Sequence, residues 1–248
     1  MPLKGVLFDL WETLINDLPE RGLPRRDWRR RRVVEALSAQ GWSGNHETVL
    51  EALDATMVAI SRMEDTGFDT NSAGRALLFA DELAALAGVR PPEAALHDIE
   101  VAITEMPFEM APVLAPGALE TVVALKQRGL ALALVCNAGF TTAPHLRSLL
   151  NHYGLLPHFD ALVFSDEHQI AKPNARIFHV ALEALGLGAD ACAFIGDNPH
   201  TDISGALAAG LFAIQIGAKE RDGITPHARV SHLSQLVEVL EATPAAQS

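Results

Sequence analysis

Residues 191–210 read ACAFIGDNPHTDISGALAAG. The apolar run 191–196 stops at Gly196, Asp197-Asn198-Pro199 turns the chain, and 201–209 repeats apolar residues at helical spacing until Gly210. A continuous apolar strand that enters a helix through a polar turn is half of a β–α–β unit. The same pattern recurs outward from it. Downstream, LFAIQI at 211–216 reads as a strand and 231–241 as a final helix. Upstream, helix 174–185 closes at Gly186, strand ALVF spans 161–164, and helix 142–151 ends near Gly154. Strand LALALVC follows at 130–136, preceded by helix 117–128, which ends at Gly129. The N-terminal run LKGVLF, 3–8, is a strand of its own and ends in Asp9. This alternation predicts an α/β, Rossmann-like parallel sheet covered by helices on both faces.

One block departs from it. From about 25 to 106 only helical periods occur, over 25–40, 46–63, 71–87 (closed by Gly88) and 92–106 after Pro91. The chain is therefore expected to be split. Residues 1–16 and 112–248 form a discontinuous α/β core, and 17–111 form an all-helical domain. Trp28, Trp42, Phe68, Phe79 and Phe108 are assigned to packing, and the tail 243–248, TPAAQS, to disorder.

Bulk properties narrow the function. The 248 residues are 49% apolar, enough for a full core without staples, and carry a formal charge of −12. That charge argues against nucleic acid and anionic membranes as partners. No apolar stretch reaches the roughly 18–20 residues of a membrane span, and no signal peptide opens the chain. Cys136 and Cys192 lie in apolar runs and read as reduced thiols, so the protein is expected in the cytoplasm. The ten histidines lack zinc-type spacing.

Chemistry in such a sheet collects beyond the carboxyl ends of the strands. Those ends carry Asp9, then Cys136-Asn137-Ala138-Gly139, then Asp197 with Asp202 five residues on. The loop SDEHQIAKP after 161–164 brings Lys172. Paired carboxylates suit Mg²⁺, a carboxylate can attack phosphorus, and a lysine with the metal can neutralise the transferring oxygens. Singly, each residue has a plainer reading: a strand-end Asp usually caps a helix or turns the chain. His200 reads as a turn residue. The ordered set carries the argument.

These residues resemble the haloacid dehalogenase-like (HAD) superfamily, in the subgroup with a helical cap after the first motif. VLFDLWETL is similar to its first motif, LALVCNAG to the second, IAKPNARIF to the third and FIGDNPHTDISGALAAG to the fourth. The resemblance implies that Asp9 is the nucleophile and a Mg²⁺ ligand, joined by the Trp11 backbone carbonyl and Asp197. It implies that Lys172 stabilises the phosphoryl oxygens and that Cys136, Asn137 and Trp11 face the substrate's phosphate. Asp202 then supports the metal's outer shell or the lysine, and Thr13 braces the loop after the nucleophile. The implied partner is a small, anionic metabolite.

Two departures shape the functional reading. The superfamily's phosphatases carry an aspartate two residues after the nucleophile as proton carrier, and here that residue is Trp11, which cannot transfer a proton. Glu12 is adjacent, but neighbours on an extended chain point opposite ways unless the chain turns sharply there. Cys136 replaces a hydroxyl with a weaker donor. The expected activity is a Mg²⁺-dependent phosphatase with a substitute acid or a good leaving group. The alternatives are a haloacid dehalogenase-like enzyme, whose leaving halide needs no proton, and a weakly active or non-catalytic binding module. Asp197 favours the first, because the superfamily's dehalogenases need no metal.

The run 21–32, RGLPRRDWRRRR, holds seven of the fifteen arginines: Arg21, Arg25, Arg26, Arg29, Arg30, Arg31 and Arg32. Placed in first helical turns, they oppose the helix dipole. The preferred reading is a solvated face paired with Asp17, Glu20, Asp27 and Glu35. The functional alternative is a second anionic group on the substrate, held by Arg25 or Arg29.

Overall fold

The computed structural model describes residues 3–242; the tail expectation at 243–248 lies outside them. The chain runs through β1 (Gly5–Phe8), β2 (Ile15–Asn16), α1 (Pro19–Ala39), α2 (His46–Asp65), α3 (Ser72–Ala87), α4 (Leu96–Thr104) and β3 (Val113–Leu114). It continues through α5 (Ala118–Gln127), β4 (Ala131–Cys136), α6 (Ala143–His152), β5 (Ala161–Phe164), α7 (Ser165–His168) and α8 (Ala175–Leu185). Last come β6 (Cys192–Gly196), α9 (Gly205–Ala208), β7 (Phe212–Ile216), β8 (Ala228–Val230) and α10 (Leu236–Ala242).

Six strands form one sheet in the order β5-β4-β1-β6-β7-β8, with every pairing parallel. The α/β Rossmann-like core is thus observed. Strand alternation divides its apolar residues between two faces. Val6, Phe8, Leu132, Leu134 and Ile195 meet Val122, Leu125, Leu146, Leu149 and Leu236 from α5, α6 and α10. Leu7, Ala133, Val135, Phe194 and Ala213 meet Ile177, Phe178, Ala181 and Ala206 from α8 and α9. Burying one such Leu or Phe contributes about 1.5–3 kcal/mol.

β1 lies centrally, with Phe8 opposite Leu134 on one side and Ile195 on the other. The strand order reverses there, and that opens a crevice at the carboxyl ends of β1, β4 and β6.

Helices α1–α4 pack around a separate apolar cluster that includes Val33, Leu37, Val49, Leu53, Ile60, Phe79, Leu83, Ile99 and Ile103. Phe140, from the loop after β4, inserts into that cluster. The chain leaves and re-enters the sheet through β2 and β3, which pair antiparallel. Three strands escape the periodicity: β2 and β3 have two residues each and β8 has three, too few for a pattern.

α1 starts at Pro19, earlier than expected, and accommodates Pro24. The arginines from Arg25 onward therefore lie beyond the first turn, where the dipole penalty has faded. Phe79 and Trp42 pack as expected, and Trp28 is half-buried beneath Arg32. Phe68 and Phe108 are exposed, correcting their assignment to packing: both sit in turns past a helix end, and Phe108 stacks on His152 at 4.7 Å. Among the described residues no helix is long and apolar enough to cross a membrane.

Candidate active site

Asp9 leaves the end of β1 with its N–H bonded to the Ile195 carbonyl at 2.9 Å. Its carboxylate is buried and held at both oxygens. Thr13 Oγ1 donates to Oδ2 at 2.9 Å, and Lys172 Nζ donates to Oδ1 at 2.5 Å. Lys172 also pairs with Asp202 Oδ1 at 2.7 Å. Burial and repulsion from Asp202, countered by Lys172, push the Asp9 carboxyl up to about 7. Lys172 is itself held above its ordinary value by Asp202 and Asp9, which outweigh its burial.

Asp202 belongs to a π-helical turn, Pro199–Ser204, rather than the α-helix expected over 201–209. Its Oδ2 accepts the Asn198 N–H at 3.0 Å. Gly196 makes this possible, because a Cβ there would lie 2.4 Å from Asp202 Oδ2. Asp197 extends beside it and takes an ion pair from Lys219, a residue that the sequence reading missed. His200 is a turn residue, as expected, with its N–H on Asn198 Oδ1 and its ring against the Asp65 carbonyl.

Ligand oxygens of Asp9, Asp197 and Asp202 all lie within 4.8 Å of one another. Three hard carboxylates face only the two ammonium groups of Lys172 and Lys219, which leaves the cluster under-neutralised. No hydrogen bond among the described residues is made to the Trp11 carbonyl. The donor set thus fits a small divalent cation.

The loop after β4 supplies the opposite wall. Asn137 lines the cleft, but its side chain is committed to Lys172: Nδ2 donates to the Lys172 carbonyl at 3.0 Å and Oδ1 accepts the Lys172 N–H at 2.8 Å. Cys136 does not reach the cleft. It is fully buried among core side chains with Sγ on the Asn137 carbonyl at 3.3 Å, because its place on β4 points it into the sheet's apolar face. Its thiol is thus absent from the lining of the cleft, where the resemblance sets it against phosphate. Trp11 lines the cleft and packs on the core. Glu12 adopts φ +57, so the chain does turn sharply there, and its Oε1 accepts the Asp17 N–H at 2.9 Å.

Residues of α1 and α2 line one side of the cleft, whose volume is about 390 Å³. The buried stripe of α1, Arg25, Arg29, Val33 and Leu37 at four-residue spacing, starts in the cleft and ends in the helices' core. That of α2, Thr56 and Ile60, continues to Glu64, whose Oε1 accepts the Gly139 N–H at 3.2 Å. Burial and the nearby Asp69 push the Glu64 carboxyl up to about 7, against Arg75 and Lys172. From α3, fully buried Arg75 binds both Asp69 oxygens and donates to the Gly139 carbonyl at 2.5 Å. Asp69 receives Ser165 Oγ at 2.5 Å, and that hydroxyl accepts the Ala138 N–H.

The arginine run divides accordingly. Arg26, Arg30, Arg31 and Arg32 pair outward with Asp54, Asp27, Glu47, Glu35 and Glu105, as the solvated-face reading expects. Arg25 and Arg29 turn inward.

Known proteins agree with this architecture. The model of the haloacid dehalogenase-like hydrolase family matches residues 3–210. A phosphoserine phosphatase of Thermus thermophilus is 31% identical, over 94% of this chain and 98% of that protein. An (S)-2-haloacid dehalogenase of Pseudomonas sp. is 34% identical, over 47% of this chain and 50% of its own. In fold, a 2-haloacid dehalogenase of Pseudomonas syringae superposes with a TM-score of 0.66 at 23% identity, covering 96% of this chain and 98% of that one. With its family model spanning residues 3–210, from before Asp9 to beyond Asp202, this chain belongs to the haloacid dehalogenase-like hydrolases.

Proposed function

We propose that this hydrolase is a Mg²⁺-dependent phosphatase of small phosphorylated metabolites, with Asp9 as covalent nucleophile. The supporting observation is the Asp9 carboxylate itself, at the switch point of the sheet, gripped by Lys172 and Thr13 and clustered with Asp197 and Asp202. The full-length likeness to a phosphatase supports the same choice, whereas the dehalogenase relative matches only half the chain.

In this reading an Asp9 oxygen attacks phosphorus, the ester P–O bond breaks, and the leaving oxygen takes a proton. Water then attacks the aspartyl-phosphate at phosphorus, which restores Asp9 and releases phosphate. Lys172 holds positive charge beside the transferring oxygens, and Asp202 keeps that ammonium in place. Thr13 fixes the carboxylate's orientation. Mg²⁺, held by Asp9, Asp197 and the Trp11 carbonyl, would supply further charge neutralisation. The backbone N–H of Asn137, unused among the described residues, is left to bind the phosphate.

The proton that Trp11 cannot carry is assigned to Glu64. Its Oε1 is anchored by Gly139, Oε2 has no partner among the described residues, and a carboxyl near 7 suits an acid working at neutral pH. Glu12 is occupied by Asp17. Residues 17–111 then act as a cap that excludes water from the cleft. The buried, unpaired thiols Cys136 and Cys192 suit a reducing compartment, and we place the protein in the cytoplasm.

The second reading, attack by Asp9 on a carbon bearing halide, is favoured by Trp11 and by the partial likeness to a haloacid dehalogenase. A panel of phosphate esters and 2-haloacids, with and without Mg²⁺ and beside Asp9→Asn, separates the two. Metal-dependent phosphate release that the substitution abolishes is expected. Metal-independent halide release would falsify the phosphatase assignment, and turnover of neither class would leave a binding module.

A further inference from the structure

Three arginines of the helical block are buried, and they differ in what they touch. Arg75 meets both oxygens of Asp69 and the carbonyls of Thr70 and Gly139. Arg25 meets Asp17 and the Met110 carbonyl. Among the described residues Arg29 makes one hydrogen bond, from Nη2 to Thr141 Oγ1 at 3.0 Å, and no ion pair. Its Nε is buried with no hydrogen-bond partner among the described residues, and the whole residue is only 8% exposed. The Phe140 ring lies 5.3 Å beneath the guanidinium.

An unpaired buried charge is costly, and a fold that satisfies Arg75 so fully has the means to avoid one. The charges around Arg29 sharpen the contrast. Arg25 repels it, Asp17 attracts it but is held by Arg25, and the neighbouring His145 is pushed below its ordinary value by burial. Two guanidinium groups thus share one carboxylate at the helical end of the cleft. Burial lowers Arg29 only to about 9, so it stays cationic at neutral pH.

We propose that Arg29 seats a second oxyanion, a carboxylate or phosphate on the leaving-group end of the substrate. This rests on the phosphatase reading for the other end of the molecule. The substrate class is then a small phosphate ester with two anionic ends, the transferring phosphoryl at Lys172 and the second anion at Arg29. Guanidinium presents its donors in a planar fork that matches either anion.

Three probes of one length test it: 3-phosphooxypropionate, 1,3-propanediol bisphosphate and 1,3-propanediol monophosphate. Their dissociation constants are measured calorimetrically on Asp9→Asn protein, with and without Arg29→Met. The charged probes are expected to bind roughly 10–100-fold tighter than the hydroxyl probe, and Arg29→Met to erase that margin. Whichever charged probe shows the larger margin identifies the anion. Arg29→Lys should keep part of it, as a point charge without the fork. Thermal melting without ligand should show Arg29→Met as stable as the parent or more so, since no ion pair is lost. Equal binding of all three probes, or an equal loss for all three with a lowered melting point, overturns the proposal. Turnover of the probes by unmodified enzyme tests the phosphatase reading separately: Arg29-dependent binding without phosphate release sinks only that reading.

Discussion

Asn137 and Lys172 are joined twice, amide to carbonyl at 3.0 Å and backbone N–H to amide oxygen at 2.8 Å. The strand end that resembles a phosphate seat thus spends its asparagine side chain on placing the lysine. Asn137→Ala should therefore lower kcat by about 10²-fold, the scale of a misplaced catalytic group, with a smaller change in KM. Steady-state kinetics check this, and a change in KM alone would show that the side chain binds substrate instead.

Glu64→Gln should cost about 10²–10⁴-fold in kcat for esters with poor leaving groups and little for para-nitrophenyl phosphate, which leaves without a proton. In the parent enzyme the acid form is lost as pH rises through about 7, so that limb of the kcat profile should vanish in the variant. Stability follows the same group. Between the unfolded value near 4.5 and about 7 the folded state binds more protons, so stability falls as pH rises through that window. Urea midpoints at pH 5 and 7.5 should differ less in Glu64→Gln than in the parent.

Lys219 lines the cleft and occupies Asp197 there. An ion pair so exposed is worth about 0.2–1 kcal/mol. Lys219→Ala should reduce the Mg²⁺ needed for half-maximal activity by roughly 2–5-fold on that scale. An unchanged or higher requirement would remove Lys219 as a competitor for the metal site.

Arg75→Met leaves Asp69 charged and buried without its partner. Removing one member of such a pair costs about 3–5 kcal/mol. Equilibrium urea unfolding should show this loss, and a loss below 1 kcal/mol would mean that Asp69 is already neutral or solvated.

Gly196→Ala places a methyl against the Asp202 carboxylate. The substitution should destabilise the protein by about 1–3 kcal/mol and lower kcat, because Asp202 must shift away from Lys172. Normal kinetics with normal unfolding would show that the turn absorbs the methyl.

The sheet was legible because buried parallel strands write themselves as apolar runs, and Asp9, Lys172, Asp197 and Asp202 followed from asking what stands at strand ends. What remained hidden depends on packing across distance. Lys219 sits just beyond β7 with no pattern to mark it. Glu64 and Arg29 did leave a signal: each prolongs a four-residue stripe, Thr56-Ile60-Glu64 and Arg29-Val33-Leu37. A charged residue that continues an apolar stripe points inward, which singles out Arg29 within the arginine run, where Arg25 or Arg29 was the candidate for a second anion, and marks Glu64, which no motif did. The fate of Cys136 turned on strand parity, which assigns it to the face opposite Val135.

Phe140 belongs by sequence to the loop that carries Asn137, yet its ring is buried among the helices. The loop and the helices therefore cannot part without exposing an aromatic ring, a cost of about 1.5–3 kcal/mol. Opening becomes a rare excursion, and each one pulls on the backbone that aligns Lys172. The ring that ties the helices to this loop thereby also steadies the asparagine that places the lysine.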